Sequence, residues 1–208
     1  MGLPRIRALN ATHTYRFWHN GEVSAKSFPR AARGQLGYDV SEVDRALRVA
    51  RQRYDNFDNG SGGKRLTTSS IRHTAFTMRK GGYSAPHVDA ALERLEDAVS
   101  LREREDRVAR IGSTEFMREV KGTARAVLKR LQRAPGERFR RVSLLQRGYD
   151  VKEVDAFAER LEEFLRGGSP MSLREVRSVA FTSRRGGYQE AQVDLLLDAV
   201  IDVMLAIR

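Results

Sequence analysis

The chain contains no cysteine. That excludes a disulfide framework, a thiolate metal site and a cysteine nucleophile. It also lacks any apolar run near the ~18 residues that a membrane-spanning helix needs. Met1–Asn10 carries no apolar core of the signal-peptide kind. Only four histidines are present, His13, His19, His73 and His87, and no two stand four residues apart. A helical metal site is therefore not expected, and no carboxylate cluster joins them. Gly60–Gly63 (GSGG) precedes Lys64 but lacks both a preceding strand and Walker spacing, so it reads as a linker. Together these absences point to a cytoplasmic, non-enzymatic chain with no cofactor.

Charge and foldable composition are both plentiful. Hydrophobic residues make up 40% and charged residues 31% of the 208 positions, a composition that folds rather than stays disordered. The net charge is +11, carried mostly by arginine. Such an excess favours anionic partners: lipid head groups, nucleic acid or an acidic protein.

One motif, Gly-Tyr-x-x-x-x-Val-Asp, occurs four times. It stands at Gly37-Tyr38 with Val43-Asp44, at Gly82-Tyr83 with Val88-Asp89, at Gly148-Tyr149 with Val154-Asp155, and at Gly187-Tyr188 with Val193-Asp194. Self-similarity of this kind marks repeated structural units. Copies one and three carry Phe28 and Phe139 ten residues before the tyrosine, with nearly identical cores, GYDVSEVD and GYDVKEVD. Copies two and four carry Phe76 and Phe181 seven residues before it, and a doubled glycine at Gly81-Gly82 and Gly186-Gly187. The order is A-B-A-B, a two-unit module that was itself duplicated.

Each core reads as a loop that starts a helix. Asp39 with Glu42, and Asp150 with Glu153, have capping spacing. Ser84 can cap the second copy, with Pro86 in the first turn, and Gln189 is a weaker cap in the fourth. The glycine before each tyrosine is expected to adopt a backbone angle other residues avoid. The tyrosine ring is expected over the helix start with its hydroxyl at the surface. The four aspartates are expected to make a repeated structural contact with an arginine or a backbone N–H, since catalytic acids need a perturbed, paired environment.

The following segments are amphipathic, with Val88, Ala91, Leu92, Leu95, Ala98 and Val99 on one face in the second copy. Val154, Phe157, Leu161, Phe164 and Leu165 do the same in the third, and Val193, Leu196, Val200, Val203 and Ile207 in the fourth; the spacing nearly fits a short coiled-coil seam. A further helix starts at Ser113 or Thr114 and ends at Pro135-Gly136. Linkers are read at Asn56–Lys64 and Gly167–Pro170. The expected fold is all-α: tandem loop-plus-helix units packed as small bundles or short coiled coils. The expected segments are 1–62 (N-terminal segment and unit 1), 63–112 (unit 2), 113–168 (connecting helix and unit 3) and 169–208 (unit 4). No stretch reads as a convincing sheet. The one candidate is a hairpin at His13–Ser27, where Tyr15, Phe17 and Trp18 precede Asn20-Gly21. Those aromatics pack on the bundle or anchor at a membrane interface.

Leu66-Thr67, Ile71, Phe76, Gly82-Tyr83 and Val88-Asp89 resemble the N-terminal domain of the DivIVA family. Met171–Asp194, GYDVSEVD and QRGYDVKEVD match the same pattern. With flanking helices the resemblance covers most of the chain, and the arrangement is similar to the DivIVA-domain repeat proteins of actinobacteria. The resemblance implies a cytoplasmic scaffold on the inner face of the membrane, at septum or pole, recruiting division or cell-wall proteins. It also implies helical pairing with crossed loops that touch lipid through an exposed aromatic and basic side chains. Three residues before the tyrosine, where the family has that aromatic, this chain has Lys80 or Arg185, and Gln35 or Gln146. No apolar wedge is expected there, so contact with anionic lipid falls to Arg79, Lys80, Arg140, Arg141, Arg147, Arg184 and Arg185. The family's long C-terminal coiled coil is missing, so higher-order scaffolding by that route is not expected. Helices from neighbouring A and B copies can pair within the chain, with a domain-swapped homo-oligomer as the alternative. The competing functions are a soluble protein-interaction module, with a DivIVA-type protein among its candidate partners, and a nucleic-acid-binding helical repeat. The last is least favoured, because no helix-turn-helix or RRM signature is present.

Overall fold

Capping side chains set where the helices begin. Asp39 accepts from the backbone N–H of Ser41 (2.9 Å) and Glu42 (3.0 Å). Asp150 does the same for Lys152 (2.9 Å) and Glu153 (3.1 Å). The glutamates do not turn back to complete a capping box. Glu42 accepts instead from the N–H and hydroxyl of Thr77, at 2.7 and 3.0 Å, and Glu153 from those of Thr182, at 2.7 and 2.9 Å. Each A-copy helix start is thereby fastened to the B copy that follows. Ser84 Oγ meets His87 Nδ1 at 2.8 Å, and Gln189 supplies no side-chain cap.

The computed structural model describes residues 28–55 and 65–207, and the chain divides into units 1–103 and 104–208. The His13–Ser27 candidate, with Tyr15, Phe17 and Trp18, and the linker Asn56–Lys64 lie outside the described residues. The first unit runs β1 (Leu36–Tyr38), α1 (Val40–Asp55), α2 (Thr68–Arg72), β2 (Met78–Lys80) and α3 (Ala85–Ile111), with the division falling inside α3. The second runs α4 (Ser113–Leu131), β3 (Arg147–Tyr149), α5 (Val151–Leu165), α6 (Leu173–Ser178), β4 (Ser183–Arg185) and α7 (Glu190–Ala206). The fold is mostly helical, as the amphipathic spacing requires.

The short helices α2 and α6 each start with a capping box, Thr67 with Ser70 and Ser172 with Glu175. One feature departs from the all-helical expectation. The strands form two antiparallel pairs, β1 with β2 and β3 with β4. Three-residue strands of sequence LGY, MRK, RGY and SRR carry no alternating apolar pattern, so periodicity could not announce them.

The first unit buries Val43, Leu47, Tyr83 and Val88 in one cluster and Ala50, Leu66, Ile71, Leu95 and Val99 in another. The second unit has one continuous core, in which α4 adds Val127 and Leu131 to residues of α5, α6 and α7. Burying a leucine or valine side chain of this kind contributes ~1.5–3 kcal/mol.

Candidate functional site at the crossed loops

The Gly-Tyr dipeptides are crossing points. Tyr38 and Tyr83 exchange backbone hydrogen bonds at 2.9 and 2.8 Å, and so do Tyr149 and Tyr188 at the same distances. A Cβ on Gly37 would collide with the Tyr83 carbonyl, and one on Gly82 with the Gly37 and Tyr38 carbonyls. Gly148 and Gly187 stand in the same relation to Tyr188 and to Tyr149 with Gly148. These four glycines are therefore needed for close backbone approach, not for the unusual backbone angle expected from sequence. Positive φ is found instead at the preceding residues Gly81 (71°) and Gly186 (64°), which turn each hairpin tip.

The side chains are exchanged across each crossing. Tyr83 packs edge-on against Phe28 (5.4 Å between centroids), and Tyr38 packs against Phe76 (5.2 Å). In the second unit Tyr188 meets Phe139 (5.3 Å) and Tyr149 meets Phe181 (5.3 Å). In every case the tyrosine of one copy meets the phenylalanine of the other. The hydroxyls follow the same rule: Tyr83 donates to Asp44 at 3.2 Å and Tyr188 to Asp155 at 3.0 Å. Tyr38 is matched to Asp89, and Tyr149 to Asp194. The repeated aspartates thus accept from a tyrosine of the paired copy. The expectation of surface tyrosine hydroxyls is corrected: Tyr83 and Tyr188 are fully buried. Burial first, and the adjacent carboxylate second, raise the phenol pKa values of Tyr38 and Tyr83. Burial and Asp194 push Tyr149 up to about 12; burial and Asp155 do the same to Tyr188. Burial likewise raises Asp89, against the hydrogen bond from Tyr38.

The centre of the second crossing holds an arginine that the sequence did not single out. Arg138 is buried, its guanidinium 3.0 Å from Asp155 Oδ1, while its Nε–H donates to the Leu131 carbonyl at 2.8 Å. Asp155 also accepts from the Gly136 N–H at 2.7 Å. In the sequence Arg138 is one of a cluster, ERFRR, and nothing in that text separates the buried member from the exposed ones.

The candidate lipid-contact residues lie around the hairpin tips, and not all are free to meet a ligand. Arg79 pairs with Asp39 and Arg184 with Asp150, both at 2.8 Å. Arg141 donates to the Gly186 carbonyl at 2.8 Å and Arg147 to the Ser183 carbonyl at 3.2 Å. Lys80, Arg140 and Arg185 are exposed. Arg147 and Arg185 stand directly opposite each other on β3 and β4, a like-charge pair that an anion would relieve. Beside them Leu144 and Leu145 are 79% and 88% exposed, and Leu144 lies against Gly186. The wedge position read from sequence falls at Lys80, Arg185, Gln35 and Gln146, and so passes over this pair. Two adjacent leucines outside any helical period were the available signal. The first unit has Arg33-Gly34 in the aligned position, with Leu36 and Met78 about half exposed on its strands.

No group of His, Asp and Glu among the described residues could hold a metal ion, and no described helix is long and apolar enough to cross a membrane. Comparison with family models, characterised proteins and solved structures finds no match to this chain.

Proposed function

We propose that the chain is a non-enzymatic, DivIVA-like adaptor built from two internal pairs of loop-plus-helix units. It acts in the cytoplasm at the inner face of the membrane, in division or polar growth. The observation that carries the membrane part is the tip of the second unit, where exposed Leu144 and Leu145 stand beside Arg141, Arg147 and Arg185. A basic side chain near an anionic surface contributes ~1 kcal/mol, so a few together hold a protein reversibly. Inserting the two leucines adds ~3 kcal/mol or more at the usual value per buried side chain.

Flotation with anionic and neutral vesicles at low and high salt tests this reading. The expected result is binding to anionic vesicles, reduced by salt and weakened by Leu144→Ser with Leu145→Ser and by Lys80→Glu with Arg185→Glu. No binding to anionic vesicles at low salt would overturn it. A second reading, a protein-interaction module without lipid contact, draws support from Arg79 and Arg184. Their charge is already matched by Asp39 and Asp150 and is correspondingly less available to lipid.

A further inference from the structure

The two units differ where α1 or α5 faces the short capped helix. In the second unit this face is closed by its own side chains. Phe157 is only 8% exposed and its ring lies 6.0 Å from that of Phe181, with Phe164 and Val179 packed alongside. Aligning EVDRALRVARQR with EVDAFAERLEEF puts Ala46 at the place of Phe157 and Arg53 at that of Phe164. Thr74 likewise replaces Val179, while Phe76, Leu66 and Ile71 keep the wall that Phe181, Met171 and Val176 form. What remains in the first unit is an open groove of about 340 Å³, floored by Ala46, Ala50, Leu66, Ile71, Phe76 and Leu92. That volume is within the range of ordinary binding clefts, ~300–1,000 Å³.

The rim has one sign of charge available. Arg45 and Arg53 line the groove and make no ion pair among the described residues, and Val49 is 38% exposed. The rim's Glu42 carboxylate is held by Thr77 on both oxygens. We infer that this groove docks an acidic amphipathic segment of a separate partner protein. One or two of its aromatic side chains would take the places that Phe157 and Phe164 fill in the other unit. Helix-in-groove recognition uses such apolar anchors at one-face spacing, with flanking charge setting orientation. A second copy of the chain is disfavoured as the occupant, because it would bring a net charge of +11 to a cationic rim. This inference goes beyond the membrane reading and does not depend on it.

The probe is a fluorescent, glutamate-rich helical peptide of about sixteen residues with Phe at i and i+7. Its anisotropy is read on the full chain in vesicle-free buffer. The expected result is saturable binding with Kd of about 1–100 µM. Ala46→Phe, which fills the groove as Phe157 does, weakens binding at least ~tenfold without lowering the melting temperature. Arg53→Phe, at a partly buried site, is the second filling variant and gives the same loss. A lysine-for-glutamate peptide binds at least ~tenfold more weakly. Unchanged affinity in both filling variants, or equal binding of the lysine peptide, would overturn the inference. So would absence of binding up to ~1 mM. Light scattering that shows a dimer converted to monomer by Ala46→Phe would assign the groove to a second copy and also overturn it.

Discussion

Each unit contains the same crossing, fastened by the same caps and ion pairs, and the two differ in the packing beyond it. Both exchange the same tyrosine backbone bonds, the same Phe–Tyr contacts and the same Tyr–Asp hydrogen bonds. In both, an arginine holds the carbonyl of the tip glycine at 2.8 Å, Arg30 on Gly81 and Arg141 on Gly186. Beyond this core they diverge. The second unit buries Arg138 against Asp155; the aligned position of the first unit, Ser27, lies outside the described residues. The first unit buries an Arg72–Glu96 pair at 2.7 Å where the second has Ile201 in the place of Glu96. The second adds α4 to its core; the first leaves the groove. Backbone-to-backbone contact tolerates no substitution, so the crossing is kept. The periphery can put Ile201 in the place of Glu96, with an arginine kept at the place of Arg72 (Arg177), and remain packed.

The largest effect is expected at the crossing itself. Gly148→Val places a side chain in the Tyr188 carbonyl, and Gly37→Val does the same to Tyr83. Each is expected to cost more than ~4 kcal/mol and to unfold its own unit, read by urea denaturation. If either is tolerated, the crossing is not the shared element.

Next come the buried charges. Glu96→Ala removes the buried carboxylate that pairs with Arg72 in the first unit, at a cost of about 3–5 kcal/mol, while Glu96→Ile with Arg72→Met recovers most of it. Asp155→Ala is expected to cost ~3 kcal/mol or more, because the buried Arg138 keeps only the longer ion pair with Glu159 at 3.5 Å and the Tyr188 hydroxyl and Gly136 N–H lose their acceptor. Asp44→Ala removes a partly buried hydrogen bond from Tyr83 and is expected to cost ~1–2 kcal/mol. Equal losses at Asp155 and Asp44 would show that the two centres do not differ as described.

The smallest effect is a pH dependence. Tyr149 and Tyr188 are pushed up to about 12, from an ordinary value of 10.0, by burial and their aspartates. A phenol with a raised folded-state pKa contributes stability that is fully present below the unfolded value and lost as pH rises through the folded one. Stability of the second unit is therefore expected to fall between about pH 10 and about 12, with tyrosinate absorbance rising over the same window. A full tyrosinate signal near pH 10 in the folded protein would contradict the buried Tyr–Asp contacts.

Much of the helical layout was legible, because amphipathic spacing and capping residues act locally. The Asp39 and Asp150 caps and the helix from Ser113 were readable on that ground. What the text could not carry was the partner of each group. Gly37 and Gly82 look like turn glycines until their carbonyl neighbours are known. Asp155 and Asp194 occupy the same motif position, yet one is buried with an arginine and the other lies at the surface. The groove at Ala46 was invisible for the same reason, since it consists of a side chain that is not there.

The central claim is that each crossing joins two copies within one chain. The sequence has no cysteine, so paired cysteines can be introduced without background. Leu36→Cys with Lys80→Cys, and separately Arg147→Cys with Arg185→Cys, place thiols on directly opposed strand positions. After oxidation of dilute protein, a non-reducing gel is expected to show an internally cross-linked monomer for both pairs. Covalent dimers in place of that monomer would mean that the copies pair between chains.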